Sequence, residues 1–193
     1  PLEARIEDLL SQMTLPEKAG LLFINGSMIN PDGSIEDPTK TDTLTLPPDT
    51  PPLVAKSQMQ AHHMNHFNIW GIPDAKTVSV WYNRLQGFAE STRLGIPVTI
   101  ASDPRNHFSN TIYEMQAEDF SQWCQPLGLA AVGDTNLVHE FTEIVRKEYL
   151  AVGIRVALHP QIDLATEPRW PRIAGTFGED AHLSAKLAEA YIK

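Results

Sequence analysis

Two segments concentrate the side chains able to do chemistry. Ser102-Asp103-Pro104-Arg105-Asn106-His107 brings a carboxylate, a guanidinium and an imidazole together. An ionised carboxylate offers two acceptor oxygens at a fixed angle, which matches a vicinal diol, and its hydrogen bonds are roughly twice as strong as neutral ones. Asp before Pro is also a common turn, so position alone leaves a binding and a turn reading of Asp103 both open.

The second segment runs His159-Pro160-Gln161-Ile162-Asp163-Leu164-Ala165-Thr166-Glu167-Pro168-Arg169-Trp170-Pro171-Arg172. Arg169 and Arg172 flank Trp170 and suit either donation to hydroxyls or bracing of carboxylates. Trp170 is expected in the core beneath the loop rather than stacked on a ligand. Glu179 and Asp180 read as favourable charges at the start of a helix rather than as acids. An acid pair improvised from Asp103 and Glu179, or from Asp163 and Glu167, would need a set separation and opposed pKa tuning, and is not expected. Cys124 stands alone and reads as a small buried or half-buried thiol, not a nucleophile. His62 and His66, at i and i+4, would share a helical face and bind a metal with His107 or His159. The competing expectation is surface or satisfied core histidines, with neither metal nor cofactor.

The elements that must position these residues follow from periodicity. Leu2, Ile6, Leu9, Leu10 and Met13 give a first helix with one apolar stripe. Thr14, Pro16 and Glu17 form a capping-box signature for a second. Leu21–Ile24 reads as a short buried strand, and the Pro-, Asp- and Thr-rich residues 25–52 as a long loop. His66–Trp70 is a second strand. Val78, Trp81, Tyr82, Leu85, Phe88 and Ala89 mark one helix face, with Gly95 at the C-cap position. Pro97–Ala101 is the third strand. A loop is expected around Gly128-Leu129-Ala130, then a helix from Asp134 to Gly153 and a fourth strand over Ile154–Leu158. A last helix starts near Ala181 and reaches Lys193 without a stop signal, as expected of a sequence that continues. Strands alternating with helices, without tight hairpins, predict an α/β fold of about four parallel units, half of a TIM-type β/α barrel. In such barrels the site is built from loops leaving the C-terminal ends of strands, which is where Ser102–His107 and His159–Arg172 lie.

The chain has 193 residues, fewer than the about 250 of a closed barrel. A net charge of -9 without a basic cluster disfavours nucleic acid. No run approaches the roughly 18 apolar residues of a membrane span, and no signal-peptide pattern precedes Leu2.

Several motifs occur in order: Arg93-Leu94-Gly95-Ile96-Pro97-Val98-Thr99-Ile100 leading into Ser102-Asp103-Pro104-Arg105, then Thr166-Glu167-Pro168-Arg169-Trp170 and Gly175-Thr176-Phe177-Gly178-Glu179-Asp180. With Met13–Lys18 and Phe120–Trp123, they resemble glycoside hydrolase family 3, particularly its β-glucosidase-like members, along all 193 residues. The resemblance implies that the chain is the N-terminal portion of that family's barrel domain. It implies that Asp103 holds hydroxyls of a terminal sugar and that Arg172, the last arginine of a Pro-Arg-Trp-Gly-Arg motif, lines the same subsite, with Arg169 nearby. This sequence carries Pro171 where the family usually has glycine. Proline removes an amide donor and restricts the residue before it, which bears on the aim of Arg172.

The family's Lys-His segment and nucleophilic aspartate follow on later strands, and its acid commonly comes from a following domain. None of these motifs occurs by Lys193. A retaining glycosidase needs two carboxyl groups about 5 to 5.5 Å apart. The implied role is therefore part of a sugar subsite without nucleophile or acid/base, in a β-glucosidase-like hydrolase, with a non-catalytic sugar-binding or assembly module as the alternative. The implied partners are a small sugar or oligosaccharide and either the remainder of the barrel or a second copy. The implied location is periplasmic or extracellular.

Overall fold

In the computed structural model, which describes residues 1–36, 53–103, 106–107 and 119–193, the local cap signals are formed. After α1 (Leu2–Gln12), Thr14 closes a capping box on α2 (Leu15–Gly20). Its hydroxyl accepts from the Glu17 amide at 3.4 Å, and Glu17 accepts from the Thr14 amide at 2.8 Å. Two end groups that a short helix leaves unpaired are thereby satisfied. Arg93 also donates to Glu17 at 3.0 Å and to the Gln12 carbonyl at 3.0 Å. The α1 stripe does not pack as expected, for Leu2, Ile6 and Leu10 are exposed.

By contact density the chain divides into Pro1–Ala101 and Ser102–Lys193. In the first unit β1 (Ile24–Ser27), β2 (His66–Ile69) and β3 (Thr99–Ser102) follow in that order in a sheet. β1 runs parallel to β2, from Ile24 opposite His66 to Ser27 opposite Ile69. β1 thus lies later than the apolar run suggests, and Leu22 and Phe23 are exposed. The cause is polar and distant: Gln58 donates to the Gly26 carbonyl at 3.0 Å and accepts from Asn25 at 2.7 Å. The loop expected from Asn25 starts after Ser27, and its residues 37–52 lie outside the described ones.

Gln58 belongs to α3 (Ala55–His62), which the sequence did not announce. Gly20 lets α2 approach its end, since a Cβ there would meet the His62 carbonyl oxygen at 2.4 Å. α3 stops at His62, His63 is left-handed at φ 55°, and His66 opens β2. His62 and His66 therefore share no helical face, and the metal reading loses its geometric basis. Among the described residues no cluster of three His, Cys, Asp or Glu suits a metal.

α4 (Ala75–Glu90) begins at Asp74, which accepts from the Thr77 amide at 2.8 Å. Its Trp81, Leu85 and Ala89 are buried, as are Phe67, Ile69 and Ile100 of the strands. The helix ends before Gly95, which sits in the next turn rather than as the cap. Side-chain amides fix the β3 entry: Gln86 donates to Val98 O at 2.7 Å and accepts from Val98 N at 3.0 Å.

The second unit opens with Ser102, the last residue of β3, whose carbonyl accepts from Leu158 N at 3.0 Å. Leu158 follows β4 (Ile154–Ala157), next in the strand order. Where a loop was expected around Gly128, α5 (Pro126–Val132) forms with proline in its first turn. α6 (Thr135–Val152) matches its reading: Asp134 accepts from Asn136 N at 2.8 Å, and Gly153 ends it at φ 93°, which glycine adopts without a Cβ penalty. α7 (Ala181–Ile192) is capped by Asp180, which accepts from His182 N and Leu183 N. Glu179 is exposed beside it. Phe141, Leu129, Ile154, Phe177 and Leu187 form the core of this unit. Beyond Ile154, the rest of β4 is exposed, including Val156. Among the described residues no helix is long and apolar enough to cross a membrane.

Candidate sugar subsite

Asp103 leaves β3 with its backbone already fixed. Its carbonyl accepts from Tyr149 Oη at 3.0 Å and from Ser102 Oγ at 2.8 Å. The segment after β4 is shaped by turns: Trp170 N donates to Glu167 O, Ile173 N to Trp170 O, and Gly175 N to Arg172 O at 3.0 Å. A parallel bridge between Gln161 and Thr176 ties that segment together. These constraints bring Asp103 and Arg172 to one cavity, which His107, Leu158, His159, Gln161, Gly175 and Tyr191 also line. Its volume, about 30 Å³, is room for one or two waters and not for a whole sugar ring.

Arg169 is placed differently. Its guanidinium is held by Glu167 through two bonds of 2.9 Å and its side chain is 89% exposed. The pairing lowers Glu167 to a pKa of about 2, first through the Arg169 side chain and then through the Arg169 amide. Arg169 thus takes the bracing role. Trp170 is half-buried rather than in the core, and Cys124 is exposed rather than buried. Pro104 and Arg105 of the first motif lie outside the described residues.

An aromatic ladder runs through three of the rings that line the cavity, those of His107, His159 and Tyr191. The His159 ring meets Tyr149 at 6.2 Å and Tyr191 at 5.4 Å, both edge to face. Tyr191 in turn meets Phe141 at 5.9 Å, and Phe141 meets Trp123 at 5.2 Å and His107 at 5.4 Å. Burial lowers the His159 pKa to about 3, with the charge of His107 adding to the effect. Burial raises the Tyr191 hydroxyl, helped by Tyr149. His159 Nδ1 and Tyr191 Oη are buried without a hydrogen-bond partner. Both rings are therefore neutral near pH 7. Their positions, after a strand and on the inner face of α7, became informative only once Tyr149 and Tyr191 were brought together.

The comparisons with known proteins bear on the family and the fold. The profile described as "Glycosyl hydrolase family 3 N terminal domain" matches residues 55–193. The chain is 46% identical to beta-glucosidase C of Emericella nidulans over all of its own length and 29% of that protein's. It is 44% identical to a periplasmic beta-glucosidase/beta-xylosidase of Dickeya chrysanthemi, again over its whole length and 28% of the relative. The chain thus spans under a third of these relatives. Among solved structures, a beta-glucoside phosphorylase bound to 2FGlc superposes with a TM-score of 0.74 at 22% identity, covering 98% of this chain and 29% of that one. That likeness establishes the fold as part of a β/α barrel. The chain belongs to glycosyl hydrolase family 3, within the N-terminal domain that defines it.

Proposed function

We propose that this chain supplies part of the sugar subsite of a retaining, β-glucosidase-like hydrolase acting on terminal β-linked sugars, as the N-terminal portion of its barrel domain. The observation carrying this reading is the convergence of Asp103 and Arg172, from loops after two different strands, on one cavity. Asp103 accepts a pair of hydroxyls, and Arg172 donates to the same ring. Arg169 braces Glu167 and so shapes the loop carrying Arg172. The nucleophile and the acid/base come from polypeptide outside this sequence. Asp103 is the single carboxylate among the described residues that line the cavity, and one carboxylate cannot run a two-carboxylate displacement. The same observation favours a second reading, in which the chain binds sugar and performs no chemistry. A periplasmic or extracellular location accords with the Dickeya relative, and the partners beyond sugar are the rest of a barrel or a second copy.

The test is a D-glucose titration of the 193-residue chain followed by amide NMR, alongside an aryl β-glucoside assay. Weak but measurable binding and no turnover are expected. Asp103→Ala is expected to weaken binding about tenfold or more, because a charge-assisted hydrogen bond is removed. Equal affinity in Asp103→Ala, or enzyme-level turnover by the purified chain, would overturn the reading.

A further inference from the structure

Two consecutive residues of α6 hold the segment that carries Asp103. Tyr149 Oη donates to the Asp103 carbonyl at 3.0 Å. Beside it, both oxygens of the Glu148 carboxylate face the next anchor points. Oε1 accepts from Ser121 N at 3.0 Å, and Oε2 accepts from Ser121 Oγ at 3.1 Å and from Asn106 Nδ2. Asn106 Nδ2 also donates to Ser121 O at 3.2 Å, and Asn106 O accepts from Trp123 N at 2.7 Å. Trp123 Nε1 donates to Ser121 Oγ at 3.1 Å, and His107 Nδ1 donates to Cys124 O at 2.8 Å. One carboxylate thus gathers residues on both sides of 108–118 onto a single turn of helix, three residues from Asp103.

We infer that Glu148 and Tyr149 act as a clasp, positioning residues that set where Asp103 presents its carboxylate. The inference rests on the sugar-subsite reading and adds residues that touch no sugar. A carboxylate suits the role because it accepts three donors at once. A neutral amide of the same shape offers one acceptor oxygen and places two N–H groups against the other donors. An error of about 1 Å in a binding carboxylate is enough to lose a bidentate contact. Anchoring Asp103 to a helix rather than to its own loop removes that freedom.

The experiment uses the full 193-residue chain and two conservative variants, Glu148→Gln and Tyr149→Phe, with two readouts. Amide hydrogen exchange is measured without sugar. In Glu148→Gln the Ser121 and Trp123 amides are expected to exchange about tenfold faster while amides of the first unit keep their rates. D-glucose affinity is then expected to fall about three- to tenfold in each variant with the melting temperature little changed. A chain that binds no glucose sinks the sugar reading alone, because exchange still reports the clasp. Unchanged exchange at Ser121 and Trp123, or faster exchange throughout both units with a lowered melting temperature, overturns the clasp. Full glucose affinity in both variants, where the parent binds, overturns its positioning role.

Discussion

At the level of single residues, the clearest consequence concerns His159. Its ring lies between the edges of Tyr149 and Tyr191, and burial first, with an electrostatic contribution from His107, lowers its pKa to about 3 from 6.5. A lowered base binds fewer protons folded than unfolded, so this contribution is complete above pH 6.5 and is lost as the pH falls from 6.5 toward 3. Between pH 7 and 5.5 the loss amounts to about 1 kcal/mol for one proton. Urea denaturation of the chain and of His159→Gln across that range checks it: the parent is expected to lose about 1 kcal/mol more than the variant. Parallel curves would show that His159 takes up its proton equally in both states. Glu17 has the same sign, at lower pH. Held near a pKa of about 2 by the Arg93 side chain and the Thr14 amide, it stabilises above pH 4.5 and loses that contribution as the pH falls toward 2. That Asp103 and Arg172 share a cavity was foreshadowed in the sequence, by a strand end for Asp103 and by the family motif for Arg172. His159, Glu148 and Tyr149 were not, since their partners lie on other elements and no local pattern marks a buried edge-to-face contact or a distant carboxylate.

At the level of elements, legibility followed whether an element is fixed locally. α4, α6 and α7 carry their own aspartate caps and long apolar faces; α6 and α7 appear within a residue or two of their reading, while α4 stops at Glu90, short of the cap expected at Gly95. α3 and α5 are short and hold no such face. α3 is fixed by Gln58 bonding to β1 more than thirty positions earlier, and Gly128 inside α5 reads as a loop residue until Cys124 is seen packed against it. β1 moved for the same reason, its place set by α3 rather than by its own hydrophobicity. Because α6 carries both the core and the clasp, its ends matter to the site. Asp134→Ala removes the acceptor of both the Asn136 amide at 2.8 Å and the Leu137 amide at 3.4 Å. A cost of about 1 kcal/mol is expected, read as a lower urea midpoint at unchanged slope. An unchanged midpoint would show that packing of Phe141 and Val145 alone sets the helix end.

For the molecule as a whole, β4 is the last strand in the order among the described residues, and it exposes apolar side chains that a parallel strand ordinarily buries. Val156 is 38% exposed and Leu158 44%, and Ile162 and Leu164 extend the apolar surface along the following segment. The curated relatives that match this chain are more than three times its length, so in them further polypeptide is present to cover such an edge. In the 193-residue chain a second copy is the available cover, since an unpaired edge strand is a template for pairing. Sizing chromatography over a hundredfold dilution is therefore expected to show concentration-dependent association rather than a fixed monomer. Val156→Lys is expected to shift the equilibrium toward monomer, because a lysine on an edge must be desolvated for a second strand to pair there. A compact monomer at every concentration, identical in the parent and the variant, would show that the β4 edge is not the associating surface, and would leave the glucose and exchange experiments on the isolated chain free of that complication.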